Sequence, residues 1–147
     1  MKPNDEKPRG PAFRKAAGQA ALLWAAAAAI AAQLLPGGQL DLPADPAARV
    51  WVLLRICVVL PVLEELLFRG GVQWLLRALG GPGIALAGQA VLFALAHGTG
   101  AQKLYALAMG LIFGWSAERT GRVWPGMVLH SINNWIVLAG CLAGRGA

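Results

Sequence analysis

Arg55, Glu64, Glu65, Arg69, His97 and His130 lie in, or at the edge of, stretches that are otherwise apolar. An ionisable group at the centre of a membrane helix costs about 2.5–3.5 kcal/mol on insertion scales, so each is a functional candidate by default. The set holds both histidines of the chain and two of its four glutamates. Glu65 and Arg69 are spaced i, i+4, on one helix face and within pairing reach, so Glu65 is expected to neutralise Arg69. Glu64 is turned about 100° from Glu65 and is left for chemistry. The blander alternative is that all three form one structural ion-pair network.

A carboxylate and an imidazole that share a water can deprotonate it. Glu64 and His97 are the candidates for that pair. His130 and Asn134 are again i, i+4 and share a face. Two such groups either bond to neighbouring helices or stabilise a developing oxyanion. Together the four describe peptide hydrolysis by water, without a covalent intermediate. Ser131 adjoins His130, but helix neighbours do not face one another, and Cys57 has no nearby histidine. Two histidines and a carboxylate also resemble a metal site. HExxH is absent, and the ligands would come from three separate helices, so neither a metal nor another cofactor is expected.

The elements that must position these groups are membrane helices. Of 147 residues, 57% are apolar and only 14% charged, against about 25% charged in a soluble domain. So small a chain could not cover a water-facing surface with so few polar groups. The net charge is +6, but the basic residues form no aromatic-interleaved patch, and nucleic-acid binding is not expected. Cys57 and Cys141 sit inside apolar runs, which argues against a disulfide framework. Residues 1–16 are polar, with three prolines, and read as a tail; 17–147 read as one membrane-embedded domain. Residues 17–35 are uncharged and long enough to span a bilayer. A cleaved signal peptide fits that segment too, but further membrane segments follow it. Residues 36–47 read as loop, and 48–79 as a helical run kinked at Pro61. A turn follows at Gly80–Gly83, then helices over 84–97, 102–117 and 123–142. The expected fold is all-α, a polytopic bundle of about five membrane helices. With the N-terminus in the cytoplasm, eight Lys and Arg residues fall inside and three outside, which agrees with the positive-inside rule.

If 62–79 and 84–97 form an antiparallel hairpin, Glu64 and His97 lie equally far from its midpoint at Gly80-Gly81, and so do Phe68 and Phe93. The carboxylate and the imidazole are then at one depth. The same counting leaves His130 some two or three turns from His97, a gap that tilt or a re-entrant segment at 98–101 would have to close.

These residues resemble three motifs in a fixed order. Glu64-Glu65-Leu66-Leu67-Phe68-Arg69-Gly70 is similar to an EExxxR motif with its FRG ending, Phe93-Ala94-Leu95-Ala96-His97 to FxxxH, and His130-Ser131-Ile132-Asn133-Asn134 to HxxxN. Glu118-Arg119-Thr120-Gly121 and Trp124-Pro125 resemble the segment before the third motif. The family is the CPBP group of glutamic-type intramembrane proteases, which includes the CAAX prenyl endopeptidase and bacterial Abi members linked to bacteriocin processing or immunity. The resemblance covers roughly 58–138. It implies a metal-independent endopeptidase in which Glu64 and His97 activate water and His130 and Asn134 form the oxyanion hole, with Glu65, Arg69 and Phe93 in support. It also implies a membrane-associated protein or peptide substrate, cut near a C-terminal sorting tail or a lipid-bearing end; the Ala-, Gly- and Leu-heavy composition suits a bacterial source, and with it an inner-membrane setting. The chain is shorter than larger members, whose extra helices shape the cavity. Two other readings compete: a non-enzymatic immunity or scaffold protein that keeps the fold, and a metal-dependent membrane hydrolase. The residues say nothing of oligomeric state.

Overall fold

The structure, a computed structural model, describes residues 8–34, 41–98 and 100–143. Among the described residues there are helices and no strands. Helix α1 (Pro11–Leu34) begins inside the polar segment read as tail. The Gly10 carbonyl accepts from Arg14 N, and Pro11 has the fixed φ that suits a first helical position. Residues 1–7, and 35–40 of the expected loop, lie outside the described residues. Helix α2 (Pro46–Leu54) starts two positions earlier than hydropathy alone suggests, because the Asp45 side chain caps Ala48 N at 2.7 Å and Pro46 follows it.

From α2 the chain stays helical through a π turn at Arg55–Val59, helix α3 (Leu60–Glu65), a second π turn at Leu66–Val72 and helix α4 (Gln73–Leu95). The first π turn has a local cause. Pro61 has no N–H to continue the ladder, and Leu60 N bonds instead to Arg55 O. The break within α4 falls at Gly81, whose φ of 81° and ψ of −178° favour glycine. Two limbs fold back on each other there. Phe68 meets Phe93 edge-on at 5.1 Å between centroids, the register expected from their equal distance to the turn.

Helix α5 (Gly100–Thr120) crosses the hairpin through Gly110 and Gly114, a small-xxx-small stripe. A Cβ on Gly110 would lie 2.9 Å from Ala90 Cα, so the helices meet almost backbone to backbone. Helix α6 (Trp124–Ala143) follows a turn at Gly121. Phe13 contacts Trp124 with centroids 5.6 Å apart, so α1 and α6 start at the same end of the bundle. The core gathers Ala20, Phe93, Ala94, Ala106, Met109, Phe113 and Leu129. Outside it, large apolar side chains such as Leu22, Trp74, Leu79 and Leu104 are at least two-thirds exposed. A lipid environment suits that surface; water does not. Two helical stretches, Pro11–Ala32 and Trp124–Ala143, are long and apolar enough to cross a bilayer.

Candidate active site

The site is built around Phe93. Just past the end of α4, the His97 ring packs on it at 4.5 Å between centroids; from α6, the His130 ring meets it edge-on at 5.8 Å. Both imidazoles therefore flank one aromatic ring. The depth gap expected for His130 is closed, since the same Phe93 ring meets both imidazoles. The third residue of α6 already meets α5 more than a turn from its end: a Cβ on Gly126 would be 3.6 Å from Phe113 Cβ.

Glu65 and Arg69 form an ion pair at 3.1 Å with both side chains fully buried. The Arg69 guanidinium lies 4.4 Å from the Phe93 centroid and 5.6 Å from that of Phe113, a planar cation stacked between aromatic faces. Glu65 Oε1 also sits 3.1 Å from His130 Nδ1. Its other oxygen is packed against α6: a Cβ on Gly126 would fall 2.6 Å from Glu65 Oε2. Only glycine leaves room for the carboxylate.

Glu64 points to the other side of the imidazole. Its Oε2 is 3.7 Å from His130 Nε2, and the side chain is 33% exposed where that of Glu65 is sealed. No hydrogen bond or ion pair joins Glu64 to His97 directly among the described residues. His97 Nδ1 lies 2.8 Å from Phe93 O. That carbonyl only accepts, so Nδ1 carries the proton and Nε2 is left as the basic nitrogen. Arg55 is exposed on the outside of the bundle and takes no part.

Asn134 is brought to the first π turn. Its Nδ2 donates to Ile56 O at 3.0 Å. That carbonyl is available for a definite reason: Leu60 N is committed to Arg55 O, and Pro61 has no N–H. One of the two amide protons of Asn134 is thereby used, and the other has no partner among the described residues. Among the described residues no group of three or more His, Cys, Asp and Glu side chains is disposed to hold a metal ion.

Sequence reasoning missed three contributors. Gly126 makes room for Glu65, and Phe113 covers Arg69; neither carries a local signal. Asn133, an unassigned position within the HxxxN stretch, is buried and bonded to Trp24 and Tyr105.

The family model for Type II CAAX prenyl endopeptidase Rce1-like matches residues 46–136, more than half of the chain. The chain belongs to this family. The matched span runs from the start of α2 into α6 and contains every site residue described above; α1 lies outside it. Membership makes the protein an integral-membrane CAAX-type endopeptidase, a class acting on membrane-associated protein substrates. No curated protein and no solved structure matches the chain.

Proposed function

We propose that the protein is a glutamic-type intramembrane endopeptidase in which Glu64 and His97 activate one water and His130 and Asn134 hold the oxyanion. The observation that carries this reading is the meeting of the two imidazoles on Phe93, with the accessible Glu64 carboxylate 3.7 Å from His130. In this mechanism a water lies between Glu64 and His97 Nε2. Glu64 takes its proton as the oxygen attacks the scissile carbonyl. The oxyanion forms within reach of His130 Nε2 and the second N–H of Asn134. Glu64 then returns the proton to the leaving amine as the C–N bond breaks, and the products are a carboxylic acid and an amine.

The Nδ1 of His130 faces Glu65, which leaves Nε2, on the Glu64 side, as the ring nitrogen turned to the oxyanion. Glu65 and Arg69 hold the imidazole and stay out of the bond-making steps.

The domain is residues 17–147, with five spans: α1, the two limbs that meet at Gly81, α5 and α6. The end that holds the starts of α1 and α6 also gathers Arg119 and Arg122, with Arg122 stacked 5.6 Å over Phe13, as expected of a cytoplasmic face. The setting is a bacterial inner membrane. The substrate is a protein cut near a membrane-associated C-terminal tail, of the kind a sorting peptidase removes.

The test is cleavage of a lipidated C-terminal peptide by the protein in lipid nanodiscs, with and without a strong chelator. Glu64→Gln should lower kcat by about 10²–10⁴-fold, the usual share of a general base, while chelation leaves the parent unchanged. A Glu64→Gln variant as fast as the parent would remove the water-activation role.

A further inference from the structure

Asn133 has no role in the mechanism above, yet it is 7% exposed and makes three side-chain hydrogen bonds. Its oxygen accepts twice: from the Tyr105 hydroxyl of α5 at 2.5 Å and from Trp24 Nε1 of α1 at 3.2 Å. An amide carries its oxygen and its NH₂ on opposite arms, so two donors on the oxygen fix where the nitrogen points. It points to Asn134 Oδ1, at 3.4 Å. Asn134 Nδ2 in turn donates to Ile56 O.

The flip state of Asn134 is thus set from both sides. Turned over, Asn134 would face its NH₂ against that of Asn133 and its oxygen against the Ile56 carbonyl. Two hydrogen bonds would become two contacts between like poles. The orientation matters for chemistry, because only the NH₂ arm can stabilise an oxyanion; the oxygen arm would repel it.

We infer that Asn133, pinned by Trp24 and Tyr105, is a positioning residue that keeps the amide nitrogen of Asn134 presented to the oxyanion. The inference rests on the oxyanion role proposed for Asn134. It gives α1, which lies outside the family match, a part in catalysis through Trp24, without touching the substrate.

The test uses the whole chain in nanodiscs and the same lipidated peptide. Asn133→Asp keeps both acceptors for Trp24 and Tyr105 but, as a carboxylate, cannot donate to Asn134. Its kcat should fall about tenfold with KM within about twofold of the parent. Trp24→Phe and Tyr105→Phe each remove one donor and should lower kcat less, again at constant KM. The decisive comparison is the double variant Asn133→Asp/Asn134→Ala. Residues that act as a unit are non-additive, so it should be no slower than Asn134→Ala alone. Losses that multiply would show a general structural effect and overturn the inference, as would parental kcat in all three single variants. Asn134→Ala at the parental rate would instead overturn the oxyanion role, and the positioning role with it. A slow Asn134→Ala beside a fast Asn133→Asp removes the positioning role alone.

Discussion

At the hairpin end of the bundle, Gln73 Nε2 bonds to Gly114 O and Glu118 Oε1, and Gln89 Nε2 to Gly110 O and Leu86 O. Arg77 pairs with Glu118 beside them. Around Phe93, a comparable number of polar groups is buried, but the arrangement differs. The two glutamines are 3% and 0% exposed, and their NH₂ groups tie α4 to α5 through backbone carbonyls. The Glu64 side chain is one-third exposed, and among the described residues only one ring nitrogen of His97 has a hydrogen-bond partner. Burial of polar atoms is therefore common to both regions. What distinguishes the catalytic candidate is a partly open carboxylate, beside two imidazoles gathered on one aromatic ring.

Variants in the two regions should fail in different ways. Arg69→Met leaves Glu65 buried without its partner, and removing one member of a buried pair costs about 3–5 kcal/mol. Both stability in denaturant and activity should fall, and recovery of either would show that Glu65 is not charged in the fold. Gly110→Ala sets a methyl group 2.9 Å from the Ala90 backbone. It should cost about 1–3 kcal/mol, the usual penalty of overpacking, with kcat per folded molecule unchanged. Gly126→Ala pushes the Glu65 carboxylate off its seat and so loosens its hold on His130. It should lower kcat about tenfold, equivalent to about 1.4 kcal/mol, with a smaller loss of stability than Gly110→Ala. The reverse ranking of those two would erase the contrast between the regions. Gln89→Leu should be the mildest: hydrogen bonds within membrane bundles average about 0.6 kcal/mol, and activity should not change.

Several elements were legible in the residues themselves. The i, i+4 spacing of Glu65 and Arg69 leads to their ion pair, and the Gly80-Gly81 step sets the limb register that brings Phe68 edge-on to Phe93. Both depend only on local geometry. The level of His130 was not legible, because it depends on how closely α6 packs on Phe113 and Glu65, a tertiary contact for which Gly126 leaves room. The helix starts at Pro11 and Pro46 follow from cap chemistry and not from the hydropathy that was read there. The Ile56 carbonyl is implied by Pro61, but its partner Asn134 comes from 78 residues away. Trp24 and Asn133 lie 109 positions apart, and nothing local announces that they meet.

The most direct measurement is a double-variant cycle on Glu64 and His97, which share no direct hydrogen bond or ion pair among the described residues and are proposed to act through one water. Single Glu64→Gln and His97→Ala variants and their combination would be compared for kcat on the lipidated peptide, with stability followed in parallel. If one water couples the two residues, the double variant is about as slow as the slower single one. If the two losses multiply, the residues act independently and the shared-water site is wrong.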